Sequence, residues 1–490
     1  MHVNGVDRAA QRGQAAGQDA GFVPHDQYRD KVHHHDVGRG PEKLNKTGGP
    51  DVTLGAPGRK RECARRCSSL MAGVTHTPMP GDLMTRRQRL RLVLVLGSLI
   101  AIGPLTIDMY LPALPSITEK LTTTPAAVQL TLTGTLVGLA LGQLAIGPFS
   151  DAVGRRKPLL AGLVLHVLAS IACVFAPDVT VLGGLRVLQG LGVAASSVVA
   201  MAVVRDLFSG SAFASLFSRL MLVMGAAPIL APTLGSAVLR WTDWRGVFVA
   251  LAAAGVLLSL VALFALRETL PVEQRRSGGT LKVYGGLLRD RTFVGLVLVA
   301  GLAMAALFAY VSGSSFVFQE QYGLSESQFG LVFGAGAVGL ITATQLNVRL
   351  LRRYSPQRIL VTALMAGSAA GLALVVIAAT GLGGLPAVLA ALWVVLASAG
   401  LAMPNAPALA MSRHAEAAGT AAVLLGAVQF GVGAAAAPLV GVLGTGAVAM
   451  GIVVAGGMLA ATAVLFTVVR PSRRAAVEVV DAELAPAGAH

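Results

Sequence analysis

The sequence predicts an all-α integral membrane protein of twelve transmembrane helices in two six-helix halves. Three observations predict it. First, 54% of the 490 residues are hydrophobic and 13% are charged, against about 25% charged in a soluble domain. Second, apolar stretches of membrane-crossing length, about 20 residues, recur twelve times. Third, Lys and Arg gather in alternate connections, which is how loops on the cytoplasmic side of a bilayer are marked.

The chain opens with residues 1–85, rich in Gly, Arg, Asp, Gln and His, with no apolar period. Such a segment buries too little surface to offset its ordering entropy and is expected to be a disordered, dispensable tail. Met71, Met79 and Met84 stand before the first span as later possible starts. Cys63 and Cys67 read as idle thiols, and His33, His34 and His35 as part of a solvated tail. With Cys173 they make no disulfide framework. The net charge of +15 does not imply a nucleic-acid partner. The tail carries only +3 of it, and the remaining +12 lies almost entirely between apolar segments.

The spans fall near residues 90–113, 126–148, 158–176, 179–204, 213–239, 244–266, 292–317, 327–350, 358–380, 385–409, 417–443 and 447–469. All are expected to be helical, because a hydrocarbon core offers no water to unpaired backbone groups. Arg86, Arg87, Arg89 and Arg91 precede the first span, and Arg155, Arg156 and Lys157 follow the second. Six basic residues lie in 267–291, four around 349–358, and Arg470, Arg473 and Arg474 follow the twelfth. The opposite connections hold only Lys120, Arg240 and Arg245. Both termini are therefore expected in the cytoplasm. The 267–291 connection separates an N-terminal bundle, 86–266, from a C-terminal bundle, 292–470, and 471–490 form a second tail. Sliding one half by 202 residues lays Gln143-Leu144 on Gln345-Leu346 and Arg156 on Arg358. Two parallel repeats of this kind are a common architecture of secondary transporters.

Within the first four spans, Asp108 and Arg186 read as the only ionisable residues well inside the apolar stretch. A carboxylate at mid-bilayer costs about 2.5–3.5 kcal/mol on insertion scales, so it is expected to face a cavity and have a partner. Asp108 precedes Pro115, and Arg186 follows Val179, by the same number of residues. At about 1.5 Å per residue both lie about 10 Å below the outer surface, which makes them a possible pair. Gln189, one turn from Arg186, is placed to hydrogen-bond either. The 202-residue shift sets Tyr310 opposite Asp108 and Val388 opposite Arg186, so the scaffold itself does not require the charges. The functional reading is a proton site, in which the distance to the guanidinium decides whether the carboxyl is loaded. The structural reading leaves Asp108 capping a helix or touching headgroups, and Arg186 bracing helices.

Family motifs follow the same order. Gly142 to Pro158 read G-Q-L-A-I-G-P-F-S-D-A-V-G-R-R-K-P, and Arg186 to Gly192 read R-V-L-Q-G-L-G. Gly147, Asp151, Gly154, Arg155 and Arg156 resemble the loop signature of the major facilitator superfamily. Ala227 to Ser236, A-P-I-L-A-P-T-L-G-S, resemble its antiporter motif, with Ala231 and Ser236 in place of two glycines. Ile107 to Pro115, together with S-G-S at 312–314, F-V-F-Q-E at 316–320, Y-G-L-S at 322–325, P-N-A at 404–406 and A-G-T-A at 418–421, resemble the Bcr/CflA branch of drug:proton antiporters. The resemblance runs through about residues 90–470. It implies one central cavity and export of drugs or small amphipathic metabolites against inward proton flow.

It also implies that Asp151, with Arg155 and Arg156, latches the outward-open state, beside the plain reading of a solvated loop charge. Pro228, Ala231, Pro232 and Gly235 would bend and pack the fifth span. Tyr110, Phe308, Tyr310, Phe316 and Phe318 are candidates for an aromatic substrate wall, with Gln345, Asn405 and Gln429 as polar handles. No cofactor or metal is expected beyond the coupling proton. The expected partners are a small-molecule substrate and lipid, around a monomer in the bacterial plasma (inner) membrane. A facilitator or proton-driven importer of the same fold is the alternative. A primary pump is disfavoured because no G-x-x-x-x-G-K-[ST] loop occurs, and no H-E-x-x-H motif or intramembrane Ser/His pair points to an enzyme.

Overall fold

A computed structural model of the chain describes residues 81, 84–275, 280–414 and 417–470. The readings made for residues 1–80 and 471–490, including the cysteine pair and the three histidines, lie outside the described residues. Every regular element among the described residues is a helix, and twelve are long and apolar enough to cross a bilayer.

The first half comprises α1 (Arg86–Asp108), α2 (Pro125–Val153), α3 (Arg156–Val174), α4 (Val179–Leu207), α5 (Gly210–Leu239) and α6 (Trp244–Ala265). A short helix, Thr280–Arg289, lies in the connection. The second half comprises α7 (Arg291–Phe316), α8 (Glu326–Leu350), α9 (Pro356–Thr380), α10 (Gly384–Met411), α11 (Ala418–Ala436) and α12 (Ala447–Val464). Shifted by 202 residues, the spans of the second half begin within three residues of those of the first.

Local chemistry sets the helix ends. Thr85 and Gln88 form a reciprocal capping box at the start of α1, and Ser325 and Gln328 do so at α8. Asp178, Asp243, Asp290 and Ser355 cap α4, α6, α7 and α9. The first span is interrupted at Asp108. The chain then makes a tight turn, Leu111–Ala113, and a short helix, Leu114–Lys120. Pro112 lacks the N–H that would continue α1, and Pro115 sits in the first turn of the short helix, where a missing N–H costs nothing.

Small residues let helices touch. Gly134, Gly138 and Gly142 line one face of α2 against α4, and a Cβ on Gly138 would sit 2.1 Å from the Val187 carbonyl oxygen. This is small-xxx-small packing as used inside bilayers. The halves meet along α2–α11 and α5–α8. At the end away from the arginines they are stitched by hydrogen bonds. Ser315 Oγ donates to Leu111 O (2.6 Å), Gln319 Nε2 to Pro112 O (3.2 Å) and Ser236 Oγ to Glu326 O (2.8 Å). Gln129 donates to Ser312 O and accepts from Gly441 N, and Thr133 Oγ1 donates to Ala434 O. At the arginine-rich end a cleft of about 360 Å³ opens between α2, α4 and the start of α11. The structure is closed on one face and cleft on the other.

Candidate functional site

Asp108 is the last residue of α1 and 6% exposed. Among the described residues it makes no ion pair. Its surroundings come from both halves. From α5, Gly235 packs so closely that a Cβ there would lie 2.1 Å from the carbonyl oxygen of Met109, the next residue. This gives the antiporter-like motif a local job: it brings α5 onto the break in α1. Ala231 and Pro232 are buried and Pro228 half-buried. Ser236, where the sequence departs from the motif glycine, supplies the hydroxyl that donates to Glu326 O of α8. From α7, Tyr310 lies within electrostatic range of Asp108. Tyr310 is also the residue that the repeat sets opposite Asp108.

The expected pairing of Asp108 with Arg186 is not made. Arg186 is fully buried, and its Nη1 donates to Thr106 O (3.0 Å) and Gln189 Oε1 (2.6 Å). Its guanidinium carbon stands 4.4 Å from the Tyr110 ring centroid and 5.7 Å from that of Phe248, so two aromatic faces shield the charge. Its Nε and Nη2 have no hydrogen-bond partner. A similar height estimated along the chain does not fix direction around the helix. Arg186 holds the backbone two residues before the carboxyl and leaves the carboxyl itself free. Gln189 passes the arrangement on, donating to Ser170 Oγ (2.8 Å).

A third ionisable residue sits in this core. His166 of α3 is 1% exposed, and its Nε2 lies 3.0 Å from Thr106 Oγ1. Sequence reading passed over it, although its place in the middle of an apolar span was the signal. Thr106 is thus gripped through its carbonyl by Arg186 and through its hydroxyl by His166.

The loop between α2 and α3 forms a second cluster. Gly154 turns the chain with φ +99°, a conformation that favours glycine. Arg155 is the hub. It pairs with Asp151 at (i, i+4) and with Asp206 of α4, Nε to Oδ2 2.8 Å and Nη2 to Oδ1 3.2 Å. Ser150 Oγ accepts from it as well (2.9 Å). Burial disfavours the Arg155 charge, but the hydrogen bonds and charges of Asp206 and Asp151 outweigh it and strengthen its hold on the proton. Glu268, at the end of the first half, accepts from the N–H groups of Arg155 (2.8 Å) and Arg156 (3.2 Å). Those bonds, with others from Leu270 and Thr269, overcome desolvation and hold its carboxyl below the ordinary range. Arg156 does not join Asp151; its Nη2 donates to Leu263 O (2.7 Å). Gly147 of α2 faces Val423 of α11 across the cleft. Asp206 and Glu268 are the residues that sequence reading missed here. Asp206 lies near the end of α4 and Glu268 just beyond α6, both at the arginine-rich end.

The substrate candidates scatter. Tyr110 is buried beneath Arg186, and its hydroxyl shares a hydrogen bond with Thr131 Oγ1 (2.8 Å), so it belongs to the N-terminal core and not to a wall. Phe316 and Phe318 are fully buried. Phe308 lies against Phe430, centroids 6.2 Å apart. Tyr310 stacks on Phe333 at 5.2 Å and lines an apolar cavity of about 90 Å³ with Trp393. Gln345 is exposed, and two residues on, Asn347 turns inward to accept from Asn405 Nδ2 (2.7 Å). Gln429 is half-buried. The structure therefore brings together Phe308 with Phe430, and Tyr310 with Phe333, but no single wall.

Twelve crossing helices in matching halves, an unpaired carboxyl where the halves meet and a charged loop hub define a membrane transporter. The Major Facilitator Superfamily family model matches residues 94–438, and the chain belongs to that family, a family of transporters and not of enzymes. It is 39% identical over 375 residues to the uncharacterized MFS-type transporter YdgK of Bacillus subtilis (strain 168), covering 75% of this chain and 92% of that one. It is 32% identical over 351 residues to the bicyclomycin resistance protein homolog of Haemophilus influenzae, covering 71% and 88%. Among solved structures, it resembles an inward-facing, unoccupied bacterial homolog of the human lysosomal transporter Spinster. The TM-score is 0.61 at 17% identity, covering 82% of this chain and all of that one (100%).

Proposed function

We propose that this chain is a proton-coupled exporter of drugs or small amphipathic metabolites, working by alternating access as a monomer. The arginine-rich face and both termini lie in the cytoplasm of a bacterial plasma membrane. The observation that carries the proposal is Asp108: a buried carboxyl with no ion pair among the described residues, at the break of α1 on which α5 packs through Gly235. The relation to a bicyclomycin resistance homolog supports the direction and the substrate class.

In the cycle, Asp108 takes a proton when the outer face is open. From the closed arrangement described above, in which the carboxyl and the guanidinium stand apart, α1 shifts against α4 as substrate arrives, and the two unpartnered groups of Arg186, Nε and Nη2, turn toward the carboxyl. A guanidinium beside it favours the ionised form, so the proton leaves to water on the cytoplasmic side as substrate binds. Thr106, held by Arg186 and His166, is the pivot of that shift.

Everted vesicles with an imposed pH gradient test this. Asp108→Asn keeps the shape and cannot cycle a proton, so gradient-driven accumulation should vanish while downhill exchange remains. Arg186→Lys keeps a charge and loses the planar fork, so coupling should fall. A vesicle in which Asp108→Asn accumulates substrate uphill and moves protons like the parent would refute the assignment.

A further inference from the structure

A cavity of about 460 Å³ lies where α1 and α5 begin, far from Asp108. The membrane spans start here, at Arg86 and Ser215, so the cavity sits at the level of a bilayer interface. Arg86 and Arg89 of α1 and Arg219 of α5 converge on it, and no described lining residue is acidic. Phe208, 3% exposed, and Leu216, 5% exposed, form a firm apolar floor. That floor is fixed in place: the N–H of Gly81 donates to Leu207 O (2.9 Å). Basic residues that only mark topology can be spread over a loop. Here three from two helices meet in one concave site.

The helix faces below the cavity continue the pattern. On α1, Arg86, Leu90 and Leu94 follow at four-residue spacing and share a face; Leu90 is 55% and Leu94 62% exposed. On α5, Ser215, Arg219 and Leu222 share a face in the same way, and Leu222 is 60% exposed. Each stripe runs from polar or charged at the helix start to apolar along the span. A phosphodiester above hydrocarbon chains has that sequence of chemistry, and basic pockets between membrane helices suit anionic headgroups.

We propose that this pocket binds the phosphate headgroup of an anionic phospholipid, with its acyl chains lying on Leu90, Leu94 and Leu222. Arginine suits the role, since its planar fork matches a phosphate bidentately.

The test is native mass spectrometry of the purified full-length protein, titrated with dioleoylphosphatidylglycerol, dioleoylphosphatidylcholine or sn-glycerol 1-phosphate. Phosphatidylglycerol should bind saturably and at least about tenfold more tightly than phosphatidylcholine. The double variant Arg86→Gln/Arg219→Gln should weaken it by about thirtyfold, from the usual contribution of a basic residue at a membrane surface taken twice. Arg86→Lys/Arg219→Lys keeps both charges but not the fork and should recover part of the affinity, which separates lost binding from misfolding. Arg352→Gln/Arg353→Gln, removing two exposed arginines elsewhere, should leave it unchanged. Equal loss in that control pair would reduce the effect to diffuse charge and overturn the site. Glycerol phosphate binding as tightly as phosphatidylglycerol, or no preference over phosphatidylcholine, would overturn the lipid assignment.

Discussion

Asp206→Asn should destabilise the N-terminal half far more than Asp151→Asn, although Asp151 is the residue that the family signature carries. Both carboxylates pair with Arg155, whose side chain is 9% exposed. They differ in burial: the Asp206 side chain is 15% exposed and that of Asp151 is 54%. An exposed ion pair contributes about 0–1 kcal/mol. Removing one member of a buried pair costs about 3–5 kcal/mol, because the other charge is left uncompensated. Asp206 makes two contacts to Arg155 and accepts a third hydrogen bond from Thr269 Oγ1 (3.1 Å). Asp151 stays behind to offset part of the stranded charge, which puts the expected loss at the lower end, about 3 kcal/mol. If the first six helices melt as a unit, this lowers the apparent melting temperature by about 6–12 °C, against at most a few degrees for Asp151→Asn. Unfolding of membrane proteins is often irreversible, so both variants are compared at one scan rate. Cys173, fully buried in α3, is a natural reporter through a thiol-reactive dye, in a background with Cys63 and Cys67 changed to serine. Equal shifts for the two variants would show that burial does not rank these charges and would return the hub to Asp151.

Gly138→Val should force α2 from α4, since the new Cβ meets the Val187 carbonyl; overpacking of this kind costs about 1–3 kcal/mol or more, read as a lower melting temperature. Gly184→Ala, with nothing within 4 Å of the added carbon, should stabilise by about 0.5–1 kcal/mol instead. Ser236→Ala removes the bond to Glu326 O, a net loss of about 1 kcal/mol, and should shift the population about fivefold toward a form open at the end away from the arginines, measured from spin-label distances between the ends of α5 and α8 on that side. Asp290 caps α7 and pairs with Arg413 (2.9 Å) and His414 (3.2 Å). Partial burial opposes its ionisation, yet Arg413 and the N–H groups of Thr292 and Phe293 bring its carboxyl down from 3.8 to about 2. The folded value lies below the unfolded one, so its stabilisation is present above about pH 4 and lost as pH falls through about 2. Asp290→Asn should flatten stability across that window and no other; an unchanged acid limb would refute the linkage.

The spans and their number were legible because hydropathy acts locally, but the first span, read as continuous over 90–113, breaks at Asp108. The signature loop was legible because Gly154 and Arg155 stand close in the chain. What stayed hidden lies at long separation or depends on direction around a helix. Asp206 and Glu268 reach Arg155 from 51 and 113 residues away, and no local pattern ties them to it. Gln345 and Asn347 differ by two residues, about 200° on a helix, so one faces out and the other pairs with Asn405. The repeat pointed to Gln345 by register alone. The pairing of Asp108 with Arg186 failed in the same way: position along the chain does not set direction around a helix.

The hydrogen bonds around Thr106 narrow the chemistry of the core further. Its hydroxyl donates to Ile102 O (2.7 Å), which spends its one proton. Toward His166 it can only accept, so His166 Nε2 carries the ring proton and Nδ1 holds a lone pair. Nδ1 has no partner and packs against Gly255 of α6. A second ring proton would be a donor with no acceptor, in a core that already holds the Arg186 guanidinium. His166 is therefore suited to fixing Thr106 rather than to relaying protons. Arg186 keeps its charge at any physiological pH, and two of its nitrogens stand unpartnered in this state. Of Asp108, Arg186 and His166, the imidazole is suited to one tautomer and the guanidinium is permanently charged. The carboxyl of Asp108 is the one with no fixed partner among the described residues, and it lies at the break of α1, next to the residue on which Gly235 of α5 packs.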